Sequence, residues 1–271
     1  MRLRRVLIAL AAMACTAAAA PQPDWRPLDP QNTLVIDTSK GRIVVEMAPA
    51  FAPLAVERVK QLAREGVYDG LLFHRVIEGF VDQTGNPNNK DGGTSKYPDL
   101  PAEFSFRLPA DGPQVVVVAR SDAVEGLVGS TPFVGVSAAE QRLAKDGRLR
   151  AWGAYCPGVV GMGRQADPGT ANSEIFFMRD AARRLDHEYA VWGRVVQGLD
   201  VVRAVKVGEP PADPDRMARV RVAADMPVAE QPKLEVLNER GPAFGRAVAA
   251  LQRKSGAAFT VCDVAIPTRL R

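Results

Sequence analysis

The sequence predicts a mainly β protein with a few short helices, and three observations support this. Runs rich in Val, Ile and Thr recur at strand length, as at residues 33–38, 41–47, 115–119 and 189–196. Gly, Pro, Asn and Asp punctuate the gaps between such runs. An apolar stripe at helical spacing is clear only at residues 53–65, 198–205 and 239–253. With 271 residues and 46% hydrophobic content, the chain can bury one large core, or a core with an appendage.

The elements follow in order. Residues 21–32 read as a polar, proline-containing leader, poorly ordered. Residues 33–38 and 41–47 pair as a hairpin, because Ser39-Lys40-Gly41 offers a turn in which glycine supplies the unusual φ. In the helix at 53–65, Val56, Val59, Leu62 and Ala63 recur at three- and four-residue spacing, and Gly66 suits the position after its end. Residues 71–77 and 80–84 are strands meeting at a turn at Glu78-Gly79. Residues 86–98 are loop; Gly92-Gly93-Thr94 lacks the Lys-Ser/Thr sequel and helix of a phosphate-binding loop. Residues 107–155 form a long insertion with a strand at 115–119 and a short helix at 138–145, an excursion suited to the surface.

Strands at 157–164 and 173–178 flank a loop bent by Asp167-Pro168-Gly169. A helical turn at 181–185, a strand at 189–196, a helix at 198–205 and a strand at 219–224 complete the main body. The extension from residue 227 to 271 carries an amphipathic helix at 239–253, with Phe244, Val248 and Leu251 aligned, and a strand at 259–264. So short a segment seldom folds alone, so it should pack on the main body.

Composition narrows the function classes. The formal charge of +4 includes Arg2, Arg4 and Arg5, and without those three it is about +1. No basic run is interleaved with aromatics, so nucleic acid is not an expected partner. Residues 1–20 have a basic start, an apolar run at 6–14 too short to span a bilayer, and Ala18-Ala19-Ala20 as a cleavage site. This reads as a secretory signal peptide cleaved near Ala20, with export to the periplasm. A lipoprotein anchored through Cys15 is the weaker alternative, since Ala12 stands where a larger aliphatic residue is usual. No later segment is apolar enough to cross a membrane. Removal of Cys15 leaves Cys156 and Cys262, which in an oxidising compartment either pair, tying the tail to the insertion, or stay as two buried thiols. His74 and His187 are the only histidines, and no Cys/His cluster has zinc spacing, so no metal and no cofactor is expected.

The chemistry concentrates in Phe73-His74-Arg75-Val76-Ile77-Glu78-Gly79-Phe80-Val81-Asp82-Gln83-Thr84-Gly85. A cation, an aromatic ring and an amide stand within nine residues, on strands whose like-parity side chains share a face. Alone, this is a candidate groove with an apolar floor, a fixed positive charge and an amide. Three further blocks follow in order: Gly161-Met162-Gly163-Arg164, Asn172-Ser173-Glu174-Ile175-Phe176-Phe177, and Leu185-Asp186 with Tyr189-Ala190-Val191-Trp192-Gly193-Arg194-Val195.

These blocks resemble the cyclophilin family of peptidyl-prolyl cis/trans isomerases over about residues 33–224. The resemblance implies a closed antiparallel β-barrel capped by two helices, here with the insertion at about 107–155 and a C-terminal α/β extension. The domain limits are then 33–226 for the isomerase domain and 227–271 for the extension. It implies Arg75 as the donor that stabilises the twisted imide. It places the proline ring among Phe80, Met162, Phe176 and Leu185, puts Val81 and Tyr189 beside them, and presents backbone to substrate at Gly163 and Arg164. Gln83 would hold the substrate backbone and orient Arg75. Four departures stand out. Glu174 replaces a usual glutamine, Val81 a frequent methionine and Tyr189 a common histidine, while Arg184 takes the position of a tryptophan found where cyclosporin binds strongly.

No nucleophile or metal is needed, because the barrier of roughly 18–20 kcal/mol is that of rotating an amide. His74 reads as a hydrogen-bonded structural residue. The leading expectation is a monomeric, exported isomerase acting on proline-containing polypeptides and serving the folding of exported proteins. A non-catalytic polypeptide-binding chaperone module on the same barrel is the alternative, and an exported scaffold the third reading.

Overall fold

The computed structural model describes residues 22–109 and 111–271. The signal-peptide and Cys15 readings lie outside the described residues. In chain order the first strands are β1 (Trp25–Pro27), β2 (Thr33–Thr38), β3 (Gly41–Met47), β4 (Arg75–Ile77), β5 (Val81–Thr84) and β6 (Phe106–Leu108). Next come β7 (Val115–Ala119), β8 (Ala123–Val128), β9 (Thr131–Val136), β10 (Leu149–Gly153), β11 (Val159–Met162) and β12 (Ile175–Met178). The last are β13 (Val191–Gln197), β14 (Met217–Val222), β15 (Leu234–Leu237) and β16 (Thr268–Leu270). The α-helices are α1 (Pro53–Arg64), α2 (Ala138–Arg142), α3 (Leu199–Ala204) and α4 (Pro242–Ser255).

Eight strands form one antiparallel sheet in the order β14-β2-β3-β13-β11-β12-β5-β4. The β2–β3 hairpin pairs Thr38 with Gly41, whose φ of 136° suits only glycine. The sheet curls until its two edges approach. Closure is not a continuous ladder, as a closed barrel would require. The edges meet just before β4 and β14, where Leu72 bridges Arg216 and Leu71 O accepts from Met217 N at 2.9 Å. With three residues in β4 and a loop beyond it, too little strand remains to close the seam.

Inside this curl, Ile36, Ile43, Val160, Phe177 and Trp192 pack with Val56, Val59 and Leu62 of α1 and Val202 of α3. Each such side chain, fully withdrawn from water, contributes roughly 1.5–3 kcal/mol. Helix α1 has no side-chain cap of its own; the Glu103 carboxylate reaches in and accepts from Leu54 N (3.0 Å) and Ala55 N (2.8 Å). That places a negative charge at the positive end of the helix.

The insertion forms a second antiparallel sheet, β6-β10-β9-β8-β7. Its Leu127, Phe133, Leu149 and Ala151 pack against the outer face of the first sheet, through Val159, Phe176 and Met178. Phe244 and Val248 of α4 and Val261 of the tail join the same core. Strands β8 and β9 escape the sequence reading because Gly126, Pro132 and Gly135 interrupt them. The glycines are there for packing: a Cβ on Gly126 would lie 2.3 Å from Val115 O, and one on Gly135 2.9 Å from Leu149 Cδ1.

Three expectations need correction. The leader is structured: β1 pairs with β15, which pairs with β16, in a three-stranded sheet. Arg26 fastens it by donating to both oxygens of Glu46 and to Glu239. Residues 259–264 are a 3₁₀ turn (Val261–Asp263) rather than a strand, because Thr260 and Asp263 form a reciprocal capping box. The helix expected at 138–145 stops at Arg142. A disulfide joins Cys156 to Cys262 and so ties the tail to the strand region that follows the insertion. Close by, the buried Arg194 of β13 donates to Pro157 O, Ser130 O and Val264 O. Barrel, insertion and tail therefore share one guanidinium.

Candidate active site

Sheet register assembles the site. Arg75 of β4 stands opposite Gln83 of β5, Gln83 opposite Phe176 of β12, and Phe176 opposite Gly161 of β11. Residues directly opposite on antiparallel strands share a face. One transverse row on the outer face of the curl thus carries a cation, an amide and a ring. Gly161 ends it because a Cβ there would lie 2.4 Å from the Phe176 ring. Phe80 is not in a strand. It closes the tight turn after β4, its N donating to Ile77 O at 3.0 Å, and Gly79 supplies the positive φ of 66°. That bend returns Phe80 to the face occupied by Arg75.

The row floors a cavity of about 220 Å³. Arg75, Gln83 and Glu174 line its polar side; Phe80, Val81, Phe176, Leu185 and Tyr189 line its apolar side, with Gly163 and Arg164 at the rim. The volume is below the ~300–1,000 Å³ of clefts that engulf a whole small ligand, and suits one side chain of a longer polymer. Tyr155 stacks behind Phe176 at 5.7 Å, and Tyr189 meets it edge-on at 5.7 Å. Those contacts fix the ring that forms the cavity floor.

Met162 is the exception among the site expectations. It is 1% exposed, belongs to the interior core, and does not line the cavity. The reason is parity: Gly161 shares the face of Phe176, so its neighbour must point through the sheet. Gly163 N donates to Glu174 O at 2.8 Å, so that N–H is not available to a ligand. Arg164 lies over the Tyr189 ring at 4.5 Å and donates to Glu188 O, Gln165 O and Ala166 O, holding the rim loop together.

A polar relay runs along the other side. Arg75 Nη1 donates to Gln83 Oε1, Gln83 Nε2 to Glu174 Oε1 (2.8 Å), and Asn86 Nδ2 to Glu174 Oε2 (2.5 Å). The Gln83 amide is thereby oriented, oxygen toward the cation. Arg75 Nε also donates to Glu209 at 2.7 Å. Glu209 is half-exposed and lies 134 residues away along the chain, so no local signal announced it. Arg75 Nη2 has no hydrogen-bond partner among the described residues, and the side chain is 30% exposed at the cavity. The guanidinium is held on two edges and open on the third. Glu174 fits where it does because position 163 is glycine; a Cβ there would lie 2.1 Å from Glu174 Oε1. His74, read as a hydrogen-bonded histidine, has no hydrogen-bond partner at either ring nitrogen.

Comparison with known proteins agrees with this geometry. Residues 33–223 match the family model for cyclophilin type peptidyl-prolyl cis-trans isomerases. The chain belongs to the cyclophilin family. It is 33% identical over 213 residues to a probable peptidyl-prolyl cis-trans isomerase of Brucella suis, covering 73% of this chain and 85% of that one. It is 30% identical over 169 residues to the peptidyl-prolyl cis-trans isomerase ppi1 of Schizosaccharomyces pombe, covering 62% and 81%. Among solved structures, the cyclophilin AquaCyp293 from Hirschia baltica superposes with a TM-score of 0.83 at 31% identity, covering 91% of this chain and 93% of that one. Coverage of 91% reaches well beyond residues 33–223, so that cyclophilin shares much of the added structure. The activity of this cyclophilin is therefore peptidyl-prolyl cis-trans isomerisation.

Proposed function

We propose that Arg75 performs the isomerisation by donating to the imide nitrogen of an X–Pro bond while the proline ring sits on Phe176. In the twisted state the nitrogen loses amide resonance and regains its lone pair, so a fixed donor favours that state over both planar forms. Arginine suits the task because it is always charged and presents several N–H groups in one plane. The observation that carries the reading is the row Arg75–Gln83–Phe176, which sets an open guanidinium edge beside an apolar floor of side-chain size. Phe80, Val81, Leu185 and Tyr189 grip the ring, and the chain on its amino side turns. Gln83 positions Arg75 and Glu209 steadies it.

The substrates are proline-containing segments of exported polypeptides, and the protein works as a monomer in the periplasm. The basic, apolar first twenty residues and the Cys156–Cys262 disulfide support an oxidising compartment.

A protease-coupled assay on a proline tetrapeptide tests the role of Arg75. Losing one charge-assisted hydrogen bond worth about 1.5–3 kcal/mol lowers kcat/KM about 10- to 150-fold in Arg75→Ala. Equal rates for wild type and variant would leave the groove a non-catalytic polypeptide-binding site.

A further inference from the structure

We propose that His74, Asp91 and Glu174 form a binding site for one divalent transition-metal ion of the Zn²⁺ class. No two of these residues are near in sequence, yet one ligand atom from each lies within 4.8 Å of the other two. The His74 side chain is 3% exposed, and neither ring nitrogen has a hydrogen-bond partner. A buried imidazole left so is costly, and it calls for an ion or other partner. Its Nε2 faces the gap: it lies 3.2 Å from Asp91 Oδ1 and 3.7 Å from Glu174 Oε2. Neither contact has hydrogen-bond geometry.

Those separations fit a shared ion. Ligands about 2.0–2.1 Å from a tetrahedral centre stand about 3.3 Å apart, so small movements of the exposed Asp91 side chain close the set. One imidazole with two carboxylates is a donor set for zinc, nickel or copper rather than for magnesium. Three protein ligands leave the fourth position to water. The charge balance also allows it. Two carboxylates face the ion, and Arg75, a cation lining the same groove as Glu174, is already paired with Glu209. Glu174 offers Oε2 to the ion while Oε1 continues to hold Gln83, so the ion sits one side chain from the groove without occupying it.

Calorimetric titration of the untagged, full-length protein with zinc sulfate tests the site, with histidine ring nitrogens followed by NMR. Only two histidines are present, so His187 serves as the internal control. One-to-one binding is expected, with the His74 nitrogens shifting, those of His187 still, and magnesium without effect. Asp91→Asn, at a side chain 66% exposed, weakens binding at least about tenfold, since even outer-shell changes cost that much. Absence of saturable binding, a response at His187 instead of His74, or unchanged affinity in Asp91→Asn would each overturn the assignment. None of these readouts depends on isomerase turnover, so the site and the proposed role of Arg75 stand or fall separately.

Discussion

Replacing Glu174 with the glutamine usual in the family separates stability from turnover. Glu174 is 9% exposed and accepts from two amide groups, Gln83 Nε2 at 2.8 Å and Asn86 Nδ2 at 2.5 Å. A carboxylate can satisfy both, because each of its oxygens only accepts. A glutamine has one accepting oxygen, so its own NH₂ must face one of the two donors. Gln83 cannot flip to help, as its oxygen is held by Arg75, and Asn86 already accepts from Ser173 Oγ through its oxygen. One charge-assisted hydrogen bond is therefore lost in Glu174→Gln, at about 1.5–3 kcal/mol. In a chain of this size that lowers Tm by about 3–12 °C. Turnover moves the other way. Under the proposed role of Arg75, the carboxylate acts through Gln83 to offset the positive potential that the guanidinium presents to the imide nitrogen. Its removal raises kcat/KM by up to about tenfold, a change of about 1.4 kcal/mol in the barrier. Thermal melts read the first effect and the protease-coupled assay the second. An unchanged Tm, or a loss of turnover alongside the fall in Tm, would refute the reasoning.

Other outcomes follow from the same structure. Burial raises the Asp82 carboxyl from 3.8 to about 7, against the opposing pull of Arg179. Between those values the folded state holds a proton that the unfolded state has released, so this group's contribution to stability falls as pH rises from about 4 to about 7. Denaturant melts at pH 5 and pH 8 should show a smaller difference in Asp82→Asn than in wild type; an equal difference in both contradicts the assignment. The Cys156–Cys262 disulfide spans 106 residues and contributes about 2–4 kcal/mol. Reduction by dithiothreitol should lower Tm by several degrees, and an unaltered melt would show the bond to be dispensable. The Arg184 guanidinium covers the Phe80 ring at 4.3 Å where strongly drug-binding relatives carry tryptophan, so cyclosporin should inhibit weakly. Nanomolar inhibition would contradict this.

Much of the site was legible because its determinants are local. Arg75, Gln83 and Phe176 were recognisable from motif and spacing, and antiparallel register then placed them in one row. Met162 obeys strand alternation against Gly161 rather than its place in the motif, and so points into the interior core. The order of the leader is not legible locally, because polarity and prolines say nothing about Asp24, whose carboxylate accepts from Ala243 N at the start of α4. The insertion strands stayed hidden because their glycines answer to neighbours in space, not in sequence.

By itself, then, the sequence determined the family, the β-rich main body, the groove-bearing motif and the two cysteines free to pair, since alternation, turn chemistry and short ordered blocks are written in adjacent residues. Only the tertiary structure decided that Glu209 would steady Arg75, that the seam would close through a bridge instead of a ladder, and that His74, Asp91 and Glu174 would converge on one point. These are meetings of residues far apart in the chain. They are set by how sheets curl and side chains pack, which no local pattern encodes.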